Sequence, residues 1–280
     1  MKTTTTTTTT TATIALAFLS CALPLRAATV ASSVPTGAED EQTKLAMQLN
    51  NPVASLISMP LQSNWDFGIG PNDAYRYTLN VQPVIPITLN DEWNLISRTI
   101  VPIIDAESPA PGIDDASGLG NITQSFFLSP QKPTAAGLIW GAGPVFVIPT
   151  ATNDLLGGNQ WGMGPTALVL KQKDGWTLGM LANQLWSFNG GNDSFNATYL
   201  QPFVAYTTKT HTTFAINSES TYNWIDSQWT IPFNLMVAQL VKIGEVPVQL
   251  QLGGRWYAEK PDGGPNWGLR FTVTFLFPRS

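Results

Sequence analysis

The sequence predicts an all-β protein: a transmembrane, antiparallel, up-and-down β-barrel of about twelve strands. Three observations predict it. Charged residues make up only 12% of the chain, roughly half the share of a soluble domain. Beyond the first thirty residues, no window approaches the ~18 uninterrupted apolar residues that a membrane helix needs. From Leu56 onward apolar and polar side chains instead alternate with period two, in segments long enough to cross a bilayer as tilted strands. Low charge without long apolar runs suits a barrel wall, where only alternate residues meet lipid.

The chain opens with targeting sequence. Lys2 gives a minimal positive start, a threonine tract follows, and Ile14 to Leu23 is an apolar stretch too short to span a membrane. Small residues at Ala27, Ala28 and Ala31 then offer cleavage sites, so residues 1–27 read as a signal peptide whose end could extend to 31. The only cysteine, Cys21, lies inside it. A mature chain without cysteine excludes disulfides, thiolate chemistry and cysteine-ligated metal. Phe18-Leu19-Ser20 before Cys21 fits a lipoprotein signal poorly. Losing Lys2 and Arg26 leaves 12 basic against 19 acidic side chains, a net charge of −7. That balance argues against nucleic acid or anionic lipid as a partner.

Residues 28–55 form an acidic, Gln-rich periplasmic lead-in. Glu39 to Leu49 suits a short helix, and Asn50, Asn51 and Pro52 stop it. Its apolar content is modest (Leu45, Met47, Leu49), which predicts a tether rather than a plug.

Residues 56–280 form the barrel. Tyr75, Tyr77, Leu79, Val81, Pro83, Ile85, Ile87 and Leu89 share one face of an extended run, with Arg76, Thr78, Asn80, Gln82 and Thr88 on the other. Val246, Val248, Leu250 and Leu252 alternate in the same way with Gln249, Gln251 and Arg255. Twelve such segments fall at 56–68, 75–89, 93–104, 119–129, 138–149, 161–171, 176–187, 197–208, 212–222, 229–241, 246–257 and 267–277. Pro83, Pro144, Pro202 and Pro232 lie inside strands and remove ladder donors, which blurs local boundaries.

Connection lengths set the orientation. Asp105–Gly118, Thr150–Gln160, Asn189–Ser194 and Glu259–Asn266 are the longer links on one side. The other side has brief turns, such as Asn90-Asp91-Glu92, Lys173-Asp174-Gly175 and Ile243-Gly244-Glu245, with Pro130–Gly137 the exception. Short turns toward the periplasm and longer loops outside are the outer-membrane arrangement. All ten tryptophans fall near strand ends: Trp65, Trp161, Trp186, Trp224, Trp229, Trp256 and Trp267 outside, and Trp93, Trp140 and Trp176 inside. These are the two aromatic belts expected at headgroup level. The final strand carries Phe271, Phe275 and Phe277 at alternate positions, the kind of closing strand that outer-membrane assembly machinery reads. The expected location is therefore the outer membrane of a Gram-negative cell, with lipid around the barrel and the assembly machinery as its partner during biogenesis.

Stretches along the barrel also resemble a known family. NNPVASLIS (50–58), YTLNVQPVIPITLN (77–90), WNLISRTIVPII (93–104), WGAGPVFVIPTAT (140–152), YLQPFVAYTT (199–208) and PDGGPNWGLRF (261–271) are similar to outer-membrane transporters grouped as the MetA-pathway of phenol degradation family. The resemblance implies a barrel that passes small, aromatic solutes. It supplies no catalytic residues.

The sequence offers little for chemistry. His211 is the only histidine, in a periplasmic turn, and Thr213 rather than serine follows two residues later. A solvated turn residue is its expected role, and no catalytic residue is assigned. Asp105, Glu107, Asp114 and Asp115 form an acidic patch that reads as a hydrated loop, and neither metal nor cofactor is expected. The informative set is the charge predicted to face the lumen: Asp66, Arg76, Arg98, Glu219, Arg255 and Arg270. Asp66, Arg76, Arg255 and Arg270 fall toward the outer mouth, on strands that become neighbours once the barrel closes. Two roles stand open: a filter for anionic or aromatic solutes, or a salt-bridge network that stiffens the lumen. The leading function is accordingly a channel or transporter for a small-molecule solute. The alternative is a non-conducting structural or adhesive barrel, and third comes an outer-membrane enzyme.

Overall fold

A computed structural model describes residues 36–188 and 194–277. The predicted signal peptide lies outside the described residues, as does the tip of the loop at 189–193. One helix, α1 (Thr36–Gln48), precedes twelve antiparallel spans. They are β1 (Ile57–Ile69), β2 (Ala74–Val81 and Val84–Thr88), β3 (Trp93–Ala106), β4 (Ala116–Leu119 and Ile122–Pro130), β5 (Leu138–Ile148) and β6 (Gly162–Lys173). Then follow β7 (Trp176–Ser187), β8 (Asn196–Thr207), β9 (Thr212–Ser218 and Ser220–Asn223), β10 (Gln228–Ile243), β11 (Val246–Glu259) and β12 (Trp267–Phe277). Each span pairs with its sequence neighbours. β1 then pairs with β12, from Ile57 opposite Phe277 to Phe67 opposite Trp267, and closes the sheet into a barrel without a free edge.

The burial pattern is that of a protein whose solvent is lipid. Along β12, Trp267, Leu269 and Phe271 are exposed, while Gly268, Arg270, Thr272 and Thr274 are buried. Leu235 (69%) and Leu252 (59%) stand outward, whereas Asn64, Asn234 and Arg270 are at most 3% exposed. On a water-soluble protein so much exposed apolar surface would drive association; here it forms the lipid face.

The broken spans have local causes. β2 is interrupted at Gln82 and Pro83, where proline lacks the ladder N–H. β9 is interrupted at Glu219, and the register sets Pro202 of β8 and Pro232 of β10 against the break. The prolines lack ladder donors there, while the register on either side of the gap is the same. At the inner end, Lys173 and Trp176 pair across Asp174 and Gly175, whose φ angles of 52° and 84° make the tight turn that twisted hairpins favour. Aromatic pairs mark both rims. Phe67 stacks on Trp267 at 4.5 Å outside, and Trp93 meets Trp140 edge-on at 5.9 Å inside.

Candidate functional site

The lumen has a floor, built from a segment whose sequence favours a tether over a plug. The segment at 43–56 is no tether: it packs inside the inner end of the barrel. Val53 lies in an apolar cluster with Ile96, Phe127, Leu168, Leu170 and Leu181, contributed by β3, β4, β6 and β7. Ala46, Ala54 and Leu56 pack against Leu240 of β10 and Leu276 of β12. Fully burying side chains such as Val53 and Leu56 is worth about 1.5–3 kcal/mol each. Polar contacts fix the same segment. Gln172 donates to the Met47 carbonyl at 2.7 Å, Asn50 to Thr207 Oγ1 at 3.2 Å, and Asn94 to Ser55 Oγ at 2.8 Å. His211 Nδ1 lies 3.1 Å from the Thr43 hydroxyl, so the histidine holds the plug instead of standing free in its turn.

Toward the outer mouth, side chains from five strands converge on two arginines. Arg270 of β12 grips Glu219 with two parallel bonds of 2.8 Å and donates through Nε to Asn64 Oδ1 at 2.8 Å. Arg255 of β11 donates to Glu219 at 3.0 Å, to Asp66 at 3.2 Å and to Asn234 Oδ1 at 2.8 Å. The Tyr257 hydroxyl completes the group by donating to Asp66 at 2.9 Å. The register is the same on both sides of the gap in β9, so Glu219 keeps the inward parity of Asn217, and both guanidinium groups reach it. Two cations and two carboxylates therefore neutralise one another across the lumen, and the Arg270–Glu219 pair is bidentate, the stronger geometry.

Four of the six predicted lumen charges thus meet: Asp66, Glu219, Arg255 and Arg270. The other two do not join them. Arg76 stands opposite Asp66 in the register but makes no ion pair among the described residues, and it lines a small recess of about 90 Å³ beside Glu107 and Asp114. Arg98, on β3, donates to Gln82 Oε1 at 3.0 Å and has no carboxylate within ion-pair distance among the described residues. Asn64, Asn234 and Tyr257 were missed. Each shares its strand's inward parity with a predicted charge or faces one across the ladder, and that parity was the available signal.

Two cavities occupy the space between network and plug. The larger, about 320 Å³, has Arg98, Arg270 and Glu219 as its charged lining. The smaller, about 180 Å³, lies against the plug and has Arg98 as its one charged lining residue among the described residues. Both share Gln82, Arg98 and Gln201 from the wall, and Leu49 and Pro52 from the plug. Because Arg270 is matched to Glu219, the uncompensated positive charge of both chambers resides on Arg98. The acidic patch of the second outer loop is occupied otherwise. Asp105 accepts from the Tyr75 hydroxyl, Glu107 from the Tyr75 amide and Asp115 from the Ser108 amide. Among the described residues no cluster of three metal-ligating side chains occurs.

Comparison with known proteins agrees with this architecture. The outer membrane channel COG4313 from Pseudomonas putida F1 superposes with a TM-score of 0.62 at 18% identity, covering 80% of this chain and 96% of that one. The β domain of the Bordetella autotransporter BrkA gives 0.48 at 9% identity over 80% and 100% of the two chains. The KdgM porin, solved in complex with oligogalacturonate, gives 0.43 at 10% over 80% and 99%. No curated protein matches. The fold is that of an outer-membrane barrel. Residues 73–279 match the model of the family described as "Putative MetA-pathway of phenol degradation", and the chain belongs to that family.

Proposed function

We propose that the protein is a narrow passive channel that admits small organic anions, aromatic ones included, through the outer membrane. The observation that carries this reading is Arg98, a guanidinium with no carboxylate within ion-pair distance among the described residues, at the junction of two lumen chambers. A fixed positive charge in a confined, partly desolvated passage lowers the energy of a passing anion and raises that of a cation. A twelve-stranded barrel is intermediate between side-chain-filled small barrels and open porins. The Pseudomonas putida protein of the same fold is itself described as an outer membrane channel.

One observation favours the non-conducting reading: the plug at 43–56 narrows the inner end. An enzyme gains no support from His211, which is engaged with Thr43. Reversal potentials of the refolded protein in a planar bilayer under a salt gradient separate the first two. A small, anion-selective conductance is expected. Silence at all voltages would favour the structural role, and cation preference would remove the reading built on Arg98.

A further inference from the structure

We infer that the larger chamber is a single binding site for an amphipathic monocarboxylate, held at its charged end by Arg98; this rests on the anion-channel reading and names its solute class. The count of charges sets the valence. Glu219 is saturated by Arg270 and Arg255, and Asp66 by Arg255 and Tyr257; Arg76 lies in a separate recess, so of the guanidiniums lining this chamber Arg98 alone is left for a ligand among the described residues. Arg98 spends one donor on Gln82. Its remaining donors suit a carboxylate, which takes two parallel bonds from a guanidinium. A second carboxylate on the same ligand would meet neutral amides, or Glu219 together with the Arg270 that Glu219 already engages.

The rest of the lining sets the shape of the ligand. Phe203 and Met236, from β8 and β10, give the chamber an apolar side across from Arg98, while Gln62, Asn80 and Gln251 supply amides. A volume of about 320 Å³ sits at the low end of sites that hold small organic molecules, ~300–1,000 Å³. Leu49 and Pro52 of the plug line the chamber on its inner side. A short-chain acid fits this arrangement with its carboxylate at Arg98 and Gln82 and its tail against Phe203 and Met236. An inorganic anion would leave the apolar side unused.

The test titrates hexanoate, hexanol, hexylamine and adipate into the full refolded protein by calorimetry, and repeats hexanoate as a blocker of single-channel chloride current. Hexanoate is expected to bind saturably, one per barrel, and to block the current, with hexanol, hexylamine and adipate each at least about tenfold weaker, the worth of one charge-assisted contact. Arg98→Gln should lose hexanoate binding and block, and Arg98→Lys should keep part of both, while the SDS resistance of each folded barrel is retained. Equal hexanoate affinity in wild type and Arg98→Gln, or equal binding of hexanol, overturns the inference. So does absence of saturable hexanoate binding in a channel that still prefers chloride over potassium. Loss of that preference in the wild type would instead remove the anion-channel reading itself.

Discussion

Glu219→Gln is expected to be the most destabilising single substitution in the lumen. Glu219 accepts three charge-assisted bonds from Arg255 and Arg270, whose side chains are only 10% and 3% exposed. Removing its charge leaves two cations facing one another with Asp66 as their remaining carboxylate. Breaking a buried pair costs about 3–5 kcal/mol. Lumen water reaches part of the Glu219 side chain, 21% exposed, and brings the expected loss toward the lower end. The temperature at which the folded band converts to the slower unfolded band in SDS should fall clearly. Asn64→Ala, which removes a neutral acceptor from the same network, should cost less. A conversion temperature unchanged by Glu219→Gln would mean that the cluster does not stiffen the barrel.

Deleting residues 36–55 should produce the largest functional change. These residues supply Val53 and the small side chains that fill the inner end, together with the hydrogen bonds to His211, Gln172, Thr207 and Asn94. The twelve-strand ladder does not depend on them, since every span pairs with another span. The barrel should therefore still form, with conductance raised severalfold and stability lowered by exposure of Ile96, Phe127, Leu168, Leu170 and Leu181 to lumen water. Single-channel recording of the deletion beside the full chain measures this. Identical conductance would show that ions already bypass the segment freely.

Much of the wall was legible in the sequence, because lipid enforces one apolar face and the ladder forces its period. The segment predicted at 176–187 matches β7 residue for residue, and most other boundaries differ by one to three residues. The inward parity of Arg98, Arg255 and Arg270 followed from the same alternation. The plug was not legible from its own residues, since Leu45, Met47 and Leu49 make a weak apolar helix. Its imprint lay elsewhere, in runs where alternation fails: Leu95-Ile96, Phe126-Phe127 and Leu168-Val169-Leu170 are apolar on both faces near the inner end. One face of each meets lipid, and the other receives Val53. Glu219 was read as inward but not as the hub. Its contact with Arg270 joins β9 to β12, spans that are not neighbours in the ladder, which no single strand reveals.

The central claim is that Arg98 supplies the selectivity of the lumen while Arg255 and Arg270 are neutralised within the network. Reversal potentials in one salt gradient, recorded for wild type, Arg98→Gln and Arg255→Gln, test it most directly. The account predicts that Arg98→Gln abolishes anion preference at nearly unchanged conductance, because one charge is lost and little volume is gained. Arg255→Gln should leave Asp66 underpaired and shift the potential less, with a lower conversion temperature in SDS. A potential that moves with Arg255 and stays fixed with Arg98 would contradict the account and return the filter to the outer mouth.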